Sequence, residues 1–142
     1  MGLLTMESGL YCVYDEAKDS SHEQSTGDRR VVDIIAVHGL GANPDYAWIR
    51  KEDTATGGLE GSVHWLRDLL PATLRRGNPS VKARIFCFNY KSRWIGANLE
   101  KLHFARIADA MLDCIANERR NVGTIPLLLL LLTLRGLTNY RG

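Results

Sequence analysis

Two stretches of the chain are apolar at nearly every successive position, the pattern of strands buried on both faces. Val31 to Val37 (Val-Val-Asp-Ile-Ile-Ala-Val) and Ala83 to Tyr90 (Ala-Arg-Ile-Phe-Cys-Phe-Asn-Tyr) carry β-branched and aromatic residues. Those residue types fit a pleated, buried surface, and such runs mark central strands of parallel sheets. Gly9 to Asp15 reads as a shorter strand that Asp15 closes. Two helices follow from a different period. Leu66, Leu69, Leu70 and Leu74 recur at helical spacing after Ser62, whose hydroxyl can cap a free backbone N–H. Pro71 must kink or split that helix, because it lacks an N–H and clashes with the preceding turn. Gly77-Asn78-Pro79 ends it. From about Asn98 to Arg119, the residues Phe104, Ile107, Ala108, Met111 and Ile115 share a face opposite Arg106, Asp109, Asp113 and Asn117. That is an amphipathic helix lying on a sheet.

The order strand, strand, helix, strand, helix predicts an α/β fold: an open, mostly parallel sheet with flanking helices. Residues 16–30 and 51–61 are polar and lack a period, so they read as surface loops. Six consecutive leucines, Leu127 to Leu132, follow the long helix. The alternation calls for another buried strand there, whereas leucine favours helices. The expected division is an N-terminal tail over 1–8, a partial α/β domain over 9–122 and a Leu-rich C-terminal tail over 123–142.

Composition narrows the function classes. Of 142 residues, 45% are hydrophobic and 24% charged, ordinary values for a globular domain. A net charge of +2 with scattered basic residues gives no footprint for nucleic acid. The three cysteines, Cys12, Cys87 and Cys114, are far apart and show no CxxC spacing, which argues against a disulfide framework or a zinc site. No metal or cofactor is indicated. Met1 to Met6 has no basic n-region, so no signal peptide is expected. The myristoylation pattern fails at Met6. The apolar run Ile125 to Leu132 is far short of the roughly 20 residues that cross a bilayer. Composition alone suggests a cytoplasmic protein.

The candidate chemistry lies in His38, Gly39, Leu40 and Gly41, directly after the strand over 31–37. Open α/β sheets bind ligands at the carboxyl ends of their strands. Three chemistries fit a strand followed by glycines. A dinucleotide-binding turn needs G-x-G-x-x-G; Gly39 and Gly41 fit, but Pro44 occupies the third glycine position. A phosphate-cradling P-loop needs Gly-Lys-Ser/Thr, which is absent. An oxyanion loop needs small residues so that a backbone N–H can approach a developing negative charge. The alternative to all three is a tight turn with His38 hydrogen-bonded to the loop. His64 and His103 have no nucleophile or orienting acid near them in sequence and read as structural or solvated.

Other segments add to the third reading. Val32 to Gly41, Trp48, Trp65-Leu66-Arg67-Asp68-Leu69-Leu70-Pro71, the strand over 83–90 and the helix from Ala108 to Arg119 follow in a distinctive order and spacing. They resemble the serine esterase/lipase-like α/β-hydrolases related to serine active site-containing proteins and GPI inositol-deacylases, whose fungal relatives often precede NACHT or NB-ARC modules and repeats. The resemblance covers about residues 9 to 120. It implies an α/β-hydrolase sheet and ester hydrolysis through a Ser-His-Asp triad. It also implies that Leu40 donates an oxyanion N–H, with Gly39 and Gly41 shaping the loop. The family's range allows mitochondrial, endoplasmic reticulum or membrane association.

The family's serine sits in a G-x-S-x-G elbow after the strand that follows the long helix. Here that position reads Leu131-Leu132-Thr133-Leu134-Arg135-Gly136, and no G-x-S-x-G occurs anywhere in the sequence. Thr133 has no strained glycine turn around it. The expectation is therefore a hydrolase-like domain truncated before its nucleophile elbow, with no catalytic residue and no activity of its own. Its ligand class would be an ester or lipid-like molecule, with a protein partner able to complete or cap the sheet. Two alternatives stand beside it: a non-catalytic binding or signalling module, and a hydrolase completed by a second chain.

Overall fold

A computed structural model describes residues 8–16, 18, 30–39, 42–44, 46–50, 62–91, 101–120 and 125–131, with the backbone alone at 101–103 and 128–131. The elements in chain order are β1 (Gly9–Asp15), β2 (Arg30–Val37), β3 (Ile49–Arg50), β4 (Val63–His64), α1 (Trp65–Asp68), α2 (Leu70–Gly77), β5 (Val81–Asn89), α3 (Lys101–Arg119) and β6 (Leu127–Leu131). The main sheet has the order β1-β5-β2-β6. β2 runs parallel to both β5 and β6, and β1 pairs antiparallel with β5 at the edge. The fold is thus a mixed α/β sheet whose three adjoining parallel strands carry one antiparallel edge. β3 and β4 form a separate two-stranded ribbon.

Side chains alternate across a strand, and β2 and β5 fill two cores. Ile34, Ala36, Ala83, Ile85 and Cys87 face one side, where Trp48, Leu66, Leu70 and Leu74 cover them. Ile35, Phe86 and Phe88 face the other, against Ile107, Met111, Cys114 and Ile115 of α3. Each fully buried Ile or Phe contributes about 1.5–3 kcal/mol. Helices lie on opposite faces because the chain steps from β2 to β5 in one direction and from β5 past β2 to β6 in the other. Right-handed crossovers taken in opposite directions put their helices on opposite sides. In β1 a bulge between Cys12 and Tyr14 shifts the register and lets both Val13 and Tyr14 pack on the α1–α2 side.

Three local expectations change. Ser62 does not cap a helix. Val63 and His64 pair instead with Ile49 and Arg50, and the helix begins at Trp65 without a side-chain cap. Asp68 reaches back to accept the His64 N–H at 2.9 Å. Pro71 splits the leucine-rich helix into α1 and α2, with Pro in the first turn of the second, where a missing N–H is tolerated. The break leaves Leu69 exposed rather than in the core. On α3, Ile107, Met111, Cys114 and Ile115 pack inward, while Phe104 and Ala108 are exposed. The buried stripe is therefore rotated from the one read in the sequence. The leucines after α3 do form a strand, because Leu127–Leu131 add to the parallel edge of β2. Ladder hydrogen bonds there outweigh leucine's helical preference. The loops expected over 16–30 and 51–61 lie largely or wholly outside the described residues.

Candidate functional site

β2 and β5 are in parallel register, with Val37 beside Phe88, so the residues after both strands emerge side by side. The strand order reverses at β2: the chain steps from it to β5 on one side and then back across it to β6 on the other. The carboxyl end of a strand where the order reverses is a topological switch point, where open α/β sheets bind ligands. His38 and Tyr90 stand at that point.

Their contacts are extensive. The two rings stack with centroids 4.2 Å apart and an interplanar angle of 8°. The Tyr90 O–H donates to the His38 carbonyl at 2.9 Å. The Tyr90 backbone N–H donates to His38 Nε2 at 3.3 Å. An accepting Nε2 carries no proton, which assigns the proton to Nδ1. Nδ1 lies 3.1 Å from the Gly39 carbonyl and donates to it. Burial pushes the Tyr90 phenol up, which keeps its O–H a donor. Phe88 stacks behind Tyr90 with centroids 6.1 Å apart. His38 is 2% exposed; both ring nitrogens are engaged, and neither is left to take a proton from a nucleophile. Its role is to fix the path of the chain into the glycine loop. One turn further, the Ala42 N–H donates to the Gly39 carbonyl at 3.2 Å.

The four loop residues singled out from sequence divide accordingly. His38 and Gly39 are buried at the switch point. Leu40 and Gly41 lie outside the described residues. Thr133 lies outside them as well. The last described residue of β6, Leu131, pairs in register with Val37, the residue before His38.

A second polar cluster lies about midway along the same strands. Asp33 is fully buried in β2. Arg84, its register partner on β5, binds it through two parallel bonds, Nε to Oδ1 at 2.7 Å and Nη2 to Oδ2 at 2.8 Å. Arg119 Nε lies 3.4 Å from Asp33 Oδ2, and Arg119 Nη2 donates to the Ile125 carbonyl. Glu118 stands 4.0 Å from Arg84 Nη1, and the Arg84 guanidinium lies over the Phe86 ring. Two carboxylates and two guanidinium groups balance, which is what a buried charge requires. The cluster ties α3 and the approach to β6 onto the sheet. The sequence carried a signal for it, an Asp inside a buried apolar run.

His64, half-buried in the β3–β4 ribbon, is held below its ordinary value by burial and then by Arg67. Its Nδ1 and the Trp48 indole N–H are buried without a hydrogen-bond partner among the described residues. His64 pairs with Ile49 across the β3–β4 ribbon, and Trp48 and Trp65 contact each other with ring centroids 5.7 Å apart. Among the described residues neither His38 nor His64 is hydrogen-bonded to a serine, threonine or cysteine, and no three His, Cys, Asp or Glu side chains gather to hold a metal ion. No described helix is long and apolar enough to cross a membrane.

The switch-point geometry is compatible with an oxyanion loop and with a structural turn, and it contains no proton-transfer pair among the described residues. Comparison with protein-family models, with curated proteins and with solved structures finds no match to this chain.

Proposed function

We propose that this chain supplies the oxyanion-loop side of a serine-hydrolase-type ester site and has no nucleophile of its own. The observation that carries the reading is the register of three parallel strands. β5, β2 and β6 end side by side, with His38-Gly39 following the central one. The position after β6 is the one where an α/β-hydrolase holds its nucleophile elbow, next to the strand that bears the oxyanion loop. In this sequence that position holds Leu132-Thr133-Leu134, without the flanking glycines the strained turn requires. In this reading Gly39 and Gly41 keep side chains out of the approach, Leu40 presents its N–H, and His38 and Tyr90 hold the loop's entry. The ligand class is an ester or other acyl compound.

A binding or signalling role is the second reading, favoured by the full engagement of His38, which serves the loop rather than proton transfer. A protein partner that completes or caps the sheet belongs to both readings.

The test is turnover of short-chain p-nitrophenyl esters by the purified 142-residue chain, with a fluorophosphonate probe alongside. The expected result is neither turnover above buffer nor covalent labelling. Stoichiometric labelling of one residue would overturn the proposal, and peptide mapping would identify the nucleophile.

A further inference from the structure

We propose that β6 opens and closes on the β2 edge as a unit separate from the β1–β5–β2 sheet, and that Arg119 is the clasp that holds it closed. The inner strands β2 and β5 are covered on both faces, by α1 and α2 on one and by α3 on the other. Among the described elements β6 packs substantially on β2 alone. Its first residue, Leu127, is 43% exposed. Segments with few buried contacts open at a fraction of the global unfolding free energy.

Besides its five-residue pairing with β2, the described side-chain anchor of β6 is at its amino end. The Asp33 N–H donates to the Pro126 carbonyl at 3.0 Å. The Arg119 guanidinium links the Asp33 carboxylate, 3.4 Å away, to the Ile125 carbonyl. One side chain thus joins the end of α3, the centre of β2 and the chain entering β6. Asp33 keeps its two bonds to Arg84 when the clasp is released, so the inner strands stay joined while the chain entering β6 loses its side-chain anchor. The far end of β6 lies beside Val37, next to His38. Opening β6 bares the β2 edge beside the candidate site, and the clasp at one end of the strand governs how complete that site is at the other.

Native-state hydrogen exchange on the full chain tests it, with Arg119→Gln and Arg119→Lys variants. The β6 amides are expected to exchange ahead of those of Ile85 to Phe88 in the wild type. In Arg119→Gln they accelerate about tenfold further, the loss of one charge-assisted bond, while β5 protection stays unchanged. Arg119→Lys, which keeps the charge but not the fork, falls between. Exchange of β5 and β6 together in every variant would overturn the proposal, as would β6 protection insensitive to Arg119→Gln. Loss of β5 protection in Arg119→Gln would also overturn it, because Arg119 would then belong to the global core.

Discussion

Cys87 and Cys12 lie on neighbouring strands in different surroundings. Burial drives the Cys87 thiol up to about 12, so the reactive thiolate is scarce at neutral pH. Cys12 is exposed. With iodoacetamide at about pH 8, the folded protein is expected to label at Cys12 and to label at Cys87 only after denaturation; mass mapping distinguishes them. His64 provides a pH-dependent term. Its folded-state value lies below the ordinary 6.5, so the unfolded chain binds the proton first as pH falls. Stability contributed by His64 is therefore whole above about 6.5 and declines as pH drops toward the folded value. Urea unfolding at about pH 7.5 and about pH 5 should show a larger loss for the wild type than for His64→Gln. An equal loss in both would remove His64 from the account.

At the scale of elements, the same kind of ion pair has different worth in two places. Asp33–Arg84 has side chains 1% and 11% exposed, whereas Arg67–Asp68 has 56% and 34%. Asp33→Asn leaves two arginines facing a neutral amide in a buried site and is expected to cost about 3–5 kcal/mol. Arg67→Ala is expected to cost under about 1 kcal/mol. Chemical denaturation measures both. This contrast also shows how far the sequence could be read. β2 and β5 are legible from long, mainly apolar runs, and α3 from its helical period, although its buried stripe is rotated from the one the period marks. The existence of β6 was ambiguous because leucine's propensity and the strand alternation disagreed, and pairing with β2 decided it. Asp33 lay in plain view inside an apolar run, but its partner is 51 residues away, and only the parallel register brings Arg84 to it. Ser62 was misread for a related reason: the β3–β4 ribbon is made of two-residue strands, too short to leave a period.

The whole molecule is organised by one reversal of direction in the sheet. Because the chain steps from β2 to β5 and then back across β2 to β6, helices cover both faces and the strand order reverses at β2, the place where open α/β sheets bind ligands. His38 was legible as the residue at that position. Its partner was not, because Tyr90 looks in sequence like the last residue of a buried strand. The stacked pair accounts for the buried histidine as a positioning residue, and this separates the proposed half-site from a complete catalytic one. The Asp33–Arg84 pair, midway along β2 and β5, joins the two strands in register.

The hydrogen bonds of His38 suit it to hold the turn after β2 rather than to transfer protons. Nitrogen-15 NMR of the histidine side chains in the folded chain at neutral pH is the measurement that decides this. The expected result is a His38 ring with its proton on Nδ1 and an unprotonated, hydrogen-bonded Nε2, and a Tyr90→Phe variant that keeps this tautomer. A His38 ring protonated on Nε2, or exchanging freely between tautomers, would contradict it and return His38 to the candidates for proton transfer.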